Sequence, residues 1–154
     1  IDLLTYLMNS TADRVYAEGR VFGSDKGEAG FPDGLVGTIA WNSGALSTVI
    51  STDQGFSPTL SKWFNHFCDG ERTATLTEHT QRVDFGGCDI DYVDGRESSA
   101  EARLQATMLA NLLEAIRTDG DTMCDARAGA HSVAICNALS KAAGTGVPVD
   151  VQKA

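Results

Sequence analysis

The 154-residue chain carries 12 basic and 21 acidic residues, a formal charge of −9, with 42% apolar and 21% charged positions. That balance describes one soluble globular domain rather than a disordered or fibrous chain, and no apolar run approaches the ~18 residues that a bilayer span requires. So acidic a surface repels phosphate backbones, which argues against nucleic acid as a partner.

The first ten residues, IDLLTYLMNS, hold no initiator Met and no residue able to cap a helix, yet Ile1, Leu4 and Met8 recur at helical spacing with Leu3 and Leu7 beside them. The sequence therefore reads as beginning inside a structural element. In DRVYAEGRVF, Val15, Ala17 and Val21 alternate with Tyr16, Glu18 and Arg20, the pattern of a half-buried strand, with Gly19 as a candidate bulge. A turn-rich loop, GSDKGEAGFPDG, follows. Two β-rich runs, Val36–Trp41 and Ala45–Thr52, then flank Asn42-Ser43-Gly44, a hairpin connection whose glycine can take positive φ.

The next stretch, SPTLSKWFNHFCDG, is ambiguous. Leu60, Trp63, Phe64 and Phe67 fit a helix, whereas Trp63, Asn65 and Phe67 would line one face of a strand; periodicity favours the helix. TATLTE and TQRVDF form a further strand pair. Ser98 and Glu101 make a capping box ahead of a helix whose Ala102, Leu109, Leu112, Leu113 and Ile116 form a core stripe, closed by Gly120. A second helix carries Ala128, Ile135, Leu139 and Ala142 on one face, with Gly144 as the residue beyond its end, and VPVDV reads as a last strand. Strands that mostly precede a helical pair point to an α+β fold, an open and mostly antiparallel sheet with helices packed on one face.

Chemistry-bearing motifs are sparse. Cys68, Cys88, Cys124 and Cys136 stand 20, 36 and 12 residues apart, which leaves no CxxC or CxxxC for a zinc knuckle or a redox pair. A buried free thiol is the expected state of Cys136, in an apolar helical stretch, and a reducing, cytoplasmic compartment follows. Asp89, Asp91 and Asp94 before Gly95 look like a calcium loop, but the third acid and the glycine each fall one position late, and Ala100 stands where a bidentate Glu belongs. His66, His79 and His131 form no HxH, HxxxH or HExxH pattern, so no metal site is assigned; His131 reads as a satisfied core or interface histidine. GxSxG is absent, and GTGVPV lacks the third glycine of a dinucleotide loop. No complete catalytic constellation lies in these residues.

Four stretches in order nevertheless resemble the C-terminal domain of the Gfo/Idh/MocA family of NAD(P)-dependent oxidoreductases. IDLLTYL is similar to the helix after the family's D-x-x-x-H-x-I-D segment, and TIAWNSGALSTVIST to its hairpin. FCDGERTATL resembles its GxxGxL step, with Thr73 in place of the second glycine. The residues from LLEAIRTDG to VPVDV resemble its closing helix, loop, helix and strand. The resemblance implies that KWFNHFC is a strand. It makes residues 1–154 a substrate-binding and oligomerisation domain, with the N-terminal Rossmann domain outside this chain.

In that family a Lys and the His of D-x-x-x-H act on a substrate hydroxyl while NAD or NADP accepts hydride, so the implied whole enzyme oxidises a sugar, cyclitol or similar carbinol. Matching I-D to Ile1-Asp2 puts the histidine two residues ahead of the chain, so no catalytic or coenzyme-binding residue is expected within it. The resemblance leaves part of a substrate wall: Thr52, Asp53, Gln54 and Phe56, where Asp and Gln can hydrogen-bond hydroxyls and Phe can stack on a ring. Asp2, which ends the motif, either positions the preceding segment or is a first-turn acid favoured by the helix dipole. The open sheet face implies a homo-oligomer. The competing expectation is a self-contained α+β ligand-binding or dimerisation module with no catalytic activity.

Overall fold

Residues 12–20 alternate in the period-two manner of a strand covered on one side: Val15 and Ala17 are buried, whereas Arg14 and Glu18 are exposed. The computed structural model describes residues 1–21, 32–52, 64–77, 82–86 and 100–152, with the side chains of 100–106 set aside. Its elements, in chain order, are α1 (Asp2–Met8), β1 (Ala12–Arg20), β2 (Gly34–Trp41), β3 (Leu46–Thr52), β4 (Asn65–Cys68), β5 (Thr73–Thr77), β6 (Arg82–Phe85), α2 (Ala100–Thr118), α3 (Ala126–Thr145) and β7 (Val149–Asp150). They divide into two units, Ile1–Gly55 with Met123–Ala154, and Phe56–Thr122. All strand pairs among the described residues are antiparallel, which gives the α+β class expected from the sequence.

In the first unit four strands run in the order β3-β2-β1-β7. Residues directly opposite one another share a face. One face carries the rows Val15–Ile39–Ser47 and Ala17–Gly37–Val49. Onto it α3 packs Ile135, Ala138, Leu139 and Ala142, whose spacing is that of one helical stripe. Gly37 permits the close approach: a Cβ there would stand 2.8 Å from Leu139 Cδ2 and 3.1 Å from the Tyr16 carbonyl oxygen. Trp41 closes the end of this core, its indole N–H donating to Ser47 Oγ at 2.8 Å. The hairpin turns where expected, with Gly44 at φ +86°.

Several local expectations change. The register irregularity of β1 falls between Ala12 and Arg14, not at Gly19. Gly19 instead admits Pro32, whose ring a Cβ would meet at 2.7 Å, and Val21 lies just past the strand end. The C-terminal glycine of α3 is Gly146, at φ 69° with its N–H donating to the Ala142 carbonyl; Gly144 is still helical. Cys136 is exposed on α3 rather than buried, because the covered stripe runs through Ile135 and Leu139 on either side of it.

In the second unit β4, β5 and β6 form a three-stranded sheet. KWFNHFC thus contains a strand, Asn65–Cys68, as the resemblance implied and against its helical periodicity; Leu60 and Trp63 lie outside the described residues. The β4–β5 turn is set by Asp69, whose Oδ1 accepts from the Glu71 and Arg72 amides at 3.0 and 2.7 Å, with Gly70 at φ +97°. Helix α2 ends in a Schellman closure, the Gly120 N–H donating to the Ala115 carbonyl, and the left-handed residue is Asp119 at φ 51°. Of its expected core stripe, Leu109, Leu112, Leu113 and Ile116 face solvent, while the Ala102 side chain lies outside those described; Ala115 is the buried side chain among those described on this helix. Ser98 and the acidic loop of Asp89, Asp91 and Asp94 lie outside the described residues.

Candidate functional site

α1 is a seven-residue helix with no side-chain cap and no buried residue of its own. A helix that short is marginal in isolation, so its placement comes from its neighbours. Ile1, Leu4 and Met8 lie against the buried cluster under α3. Two consecutive residues of α3 supply the directional contacts. Ser132 donates its hydroxyl to Asp2 Oδ1 at 3.0 Å, and His131 Nε2 accepts the Ala12 N–H, the first amide of β1, at 3.0 Å. Both α3 residues are buried.

Among the described residues of its unit, no helix lies on the other face of the four-stranded sheet. Its rows are Arg14–Ala40–Leu46, Tyr16–Thr38–Thr48 and Glu18–Val36–Ile50. Leu46 is 79% exposed and Ile50 74%, unusual values for large aliphatic strand residues. A half-open depression of about 270 Å³ lies here, bordered by Arg14, Tyr16, Thr38, Ala40, Leu46 and Pro148. Along β1 the Tyr16 hydroxyl donates to Glu18 Oε1 at 2.6 Å, and Arg20 Nη1 reaches Glu18 Oε2 at 3.2 Å. The tyrosine's hydrogen bond holds the Glu18 carboxyl below its ordinary range, with Arg20 adding to it, and the same bond raises the phenol.

Thr52 ends β3, on the open face, in a row with Gly34 and Arg20. Asp53, Gln54 and Phe56 lie outside the described residues. Asp2 sits by Ser132, at the Ala12 end of β1 and on the helix-covered side. The ends of β1 are roughly 26 Å apart at about 3.3 Å per residue, so Thr52 and Asp2 do not meet within one pocket. Sequence reasoning placed His131 in the core but missed Ser132; the available sign was two adjacent polar residues on an otherwise apolar helix stripe.

The sequence holds no GxGxxG, and the depression is smaller than the ~300–1,000 Å³ of ordinary ligand pockets. Among the described residues no cluster of three or more His, Cys, Asp or Glu could hold a metal, and no helix is long and apolar enough to cross a membrane.

No protein-family model and no curated protein matches the sequence. Solved structures do match the fold. The WlbA dehydrogenase from Bordetella pertussis, in complex with NADH and UDP-GlcNAcA, superposes with a TM-score of 0.71 at 20% identity over 98% of this chain and 45% of its own. An oxidoreductase from Agrobacterium radiobacter, in complex with NAD+, L-tartaric acid and magnesium, gives 0.74 at 16% identity over 97% and 46%. UDP-N-acetylglucosamine 3-dehydrogenase from Acidithiobacillus ferrooxidans gives 0.71 at 20% identity over 92% and 43%. The chain shares the fold of the matched part of these enzymes. It spans rather less than half the length of these Gfo/Idh/MocA-type enzymes, two of which hold NAD+ or NADH.

Proposed function

We propose that this chain is the substrate-binding and oligomerisation part of a larger NAD(P)-dependent dehydrogenase of the Gfo/Idh/MocA family, acting on a sugar, cyclitol or similar carbinol. One observation carries it: nearly the whole chain superposes on rather less than half of enzymes holding a nicotinamide coenzyme, at TM-scores near 0.7. On this reading a base in the segment ahead of Ile1 takes the substrate's O–H proton while NAD or NADP, held elsewhere, accepts the hydride. Thr52, Asp53, Gln54 and Phe56 supply part of the substrate wall, and Asp2 orients the entering segment. Because one neighbour is in complex with UDP-GlcNAcA and another is named for UDP-N-acetylglucosamine, a nucleotide sugar joins the substrate candidates.

The test is a screen of the protein, expressed with whatever coding sequence precedes Ile1, against sugars, cyclitols and UDP-sugars with NAD and NADP. Turnover with one coenzyme is the expected result. Failure to bind either coenzyme would leave the competing reading, a ligand-binding or dimerisation module without catalysis. The 154-residue chain by itself is expected to retain no NAD(P), and calorimetric binding at ordinary dehydrogenase affinity would overturn that.

The open sheet face fits a second copy of the chain. Leu46, Ile50 and Val36 offer exposed apolar area, and Arg14 and Asp150, opposite each other on the same face, offer both charges to a two-fold mate. Replacing Leu46 and Ile50 with Asp is expected to lower the mass seen by light scattering to that of a monomer while the circular dichroism stays unchanged.

A further inference from the structure

We propose that Ser132 is a positioning residue for the chain segment entering at Ile1, acting through its hydrogen bond to Asp2; the proposal rests on the dehydrogenase reading. The geometry is a two-point clamp. Ser132 takes Asp2 at one end of α1, and His131 takes the Ala12 amide where the chain leaves α1 for β1. Both belong to α3, whose Asp125 cap and Gly146 closure fix its ends and whose buried stripe fixes its rotation.

The apolar contacts of Ile1, Leu4 and Met8 hold α1 down but set no direction, because hydrophobic attraction is non-directional. With no side-chain cap and no buried residue on α1, the Ser132–Asp2 bond is the described polar contact that fixes the helix's first residue to the core. A group carried just ahead of Ile1 inherits that orientation. Ser132 lies on the covered side of the sheet and Thr52 on the open side, so Ser132 acts on the reaction only through Asp2.

The experiment uses the whole enzyme and four variants: Ser132→Ala, Asp2→Ala, the double variant, and Asp2→Asn, which keeps an acceptor oxygen. Small displacements of reacting groups lower rates steeply, so each alanine variant is expected to lose roughly tenfold in kcat. KM and the coenzyme Kd should stay unchanged, and so should the melting temperature relative to the loss of rate. Coupling through one bond means the double variant loses no more than either single, and Asp2→Asn stays near wild type. Wild-type kcat in Ser132→Ala overturns the proposal, as do multiplicative losses in the double variant or a rise of KM and Kd in step with the rate loss. A wild-type enzyme that binds neither coenzyme overturns the dehydrogenase reading instead.

Discussion

β1 buries Val15 and Ala17 beneath α3, whereas β4, β5 and β6 contribute no buried side chain among those described. The difference lies in what covers each sheet. In the first unit, alternation along the strand meets a helix stripe of matching period, and Val15, Ile39 and Ile135 lose all or nearly all contact with water. In the second, the described polar contacts include the Asp69 turn, the exposed pairs Arg72–Asp69, Arg82–Asp84 and Arg117–Glu114, and a cross-strand contact of His66 Nδ1 with Thr75 Oγ1 at 3.2 Å. Exposed ion pairs contribute little, because solvent and salt screen them, while burying one large aliphatic side chain contributes about 1.5–3 kcal/mol. Among the described residues, the first sheet is held by packing against α3, while those of the second show turn and cross-strand contacts.

The sharpest way to break this contrast is to delete equivalent apolar groups. Ile135→Ala should destabilise by about 2–5 kcal/mol in urea unfolding, because the site is fully enclosed. Leu112→Ala, on the exposed stripe of α2, should stay within about 0.5 kcal/mol. A comparable loss at Leu112 would mean that the stripe is covered in solution.

A smaller effect separates two glycines. Gly37→Ala inserts a methyl between β2 and Leu139, and repacking so enclosed a leucine should cost about 1–3 kcal/mol. At Gly70 a Cβ meets nothing within 4 Å, so Gly70→Ala is opposed only by its positive φ, about 1–2 kcal/mol. The two mechanisms part under a compensating change: Leu139→Val should relieve Gly37→Ala in a double-mutant cycle and leave Gly70→Ala unchanged.

The same division decides what could be read from the sequence. The β2–β3 hairpin and α3 were legible because period, turn chemistry and burial agree there. Asn65–Cys68 was not legible from periodicity, since Leu60, Trp63, Phe64 and Phe67 fit a helical spacing while Trp63, Asn65 and Phe67 fit one face of a strand, and only the family resemblance chose correctly. The α2 stripe was read as core from its 3.6-residue period, but amphipathic spacing says only that a face is apolar, not what lies against it. The Ser132–Asp2 contact joins residues 130 apart and leaves no periodic trace in either segment. Of the expected substrate wall, only Thr52 falls among the described residues.

The smallest expected effects concern two exposed carboxylates, one on each sheet. Glu18 is held below its ordinary range first by the Tyr16 hydroxyl; Asp69 is held low first by the Arg72 and Glu71 backbone amides, and only then by the Arg72 side chain. In both cases the folded value is depressed, so the contribution to stability is present above the unfolded pKa and fades as pH falls through the folded one. Tyr16 runs the other way: its raised value makes its contribution complete below the unfolded phenol pKa and lost as pH rises through the folded one. Carboxyl carbon NMR titration separates the two causes. Tyr16→Phe should move the Glu18 midpoint upward, because its leading donor is gone. Arg72→Gln should leave most of the Asp69 depression in place, because residue 72 keeps its amide. If Asp69 instead returned to its ordinary range in Arg72→Gln, the turn would be held by the ion pair rather than by backbone geometry, and the second sheet would depend on salt in a way the first does not.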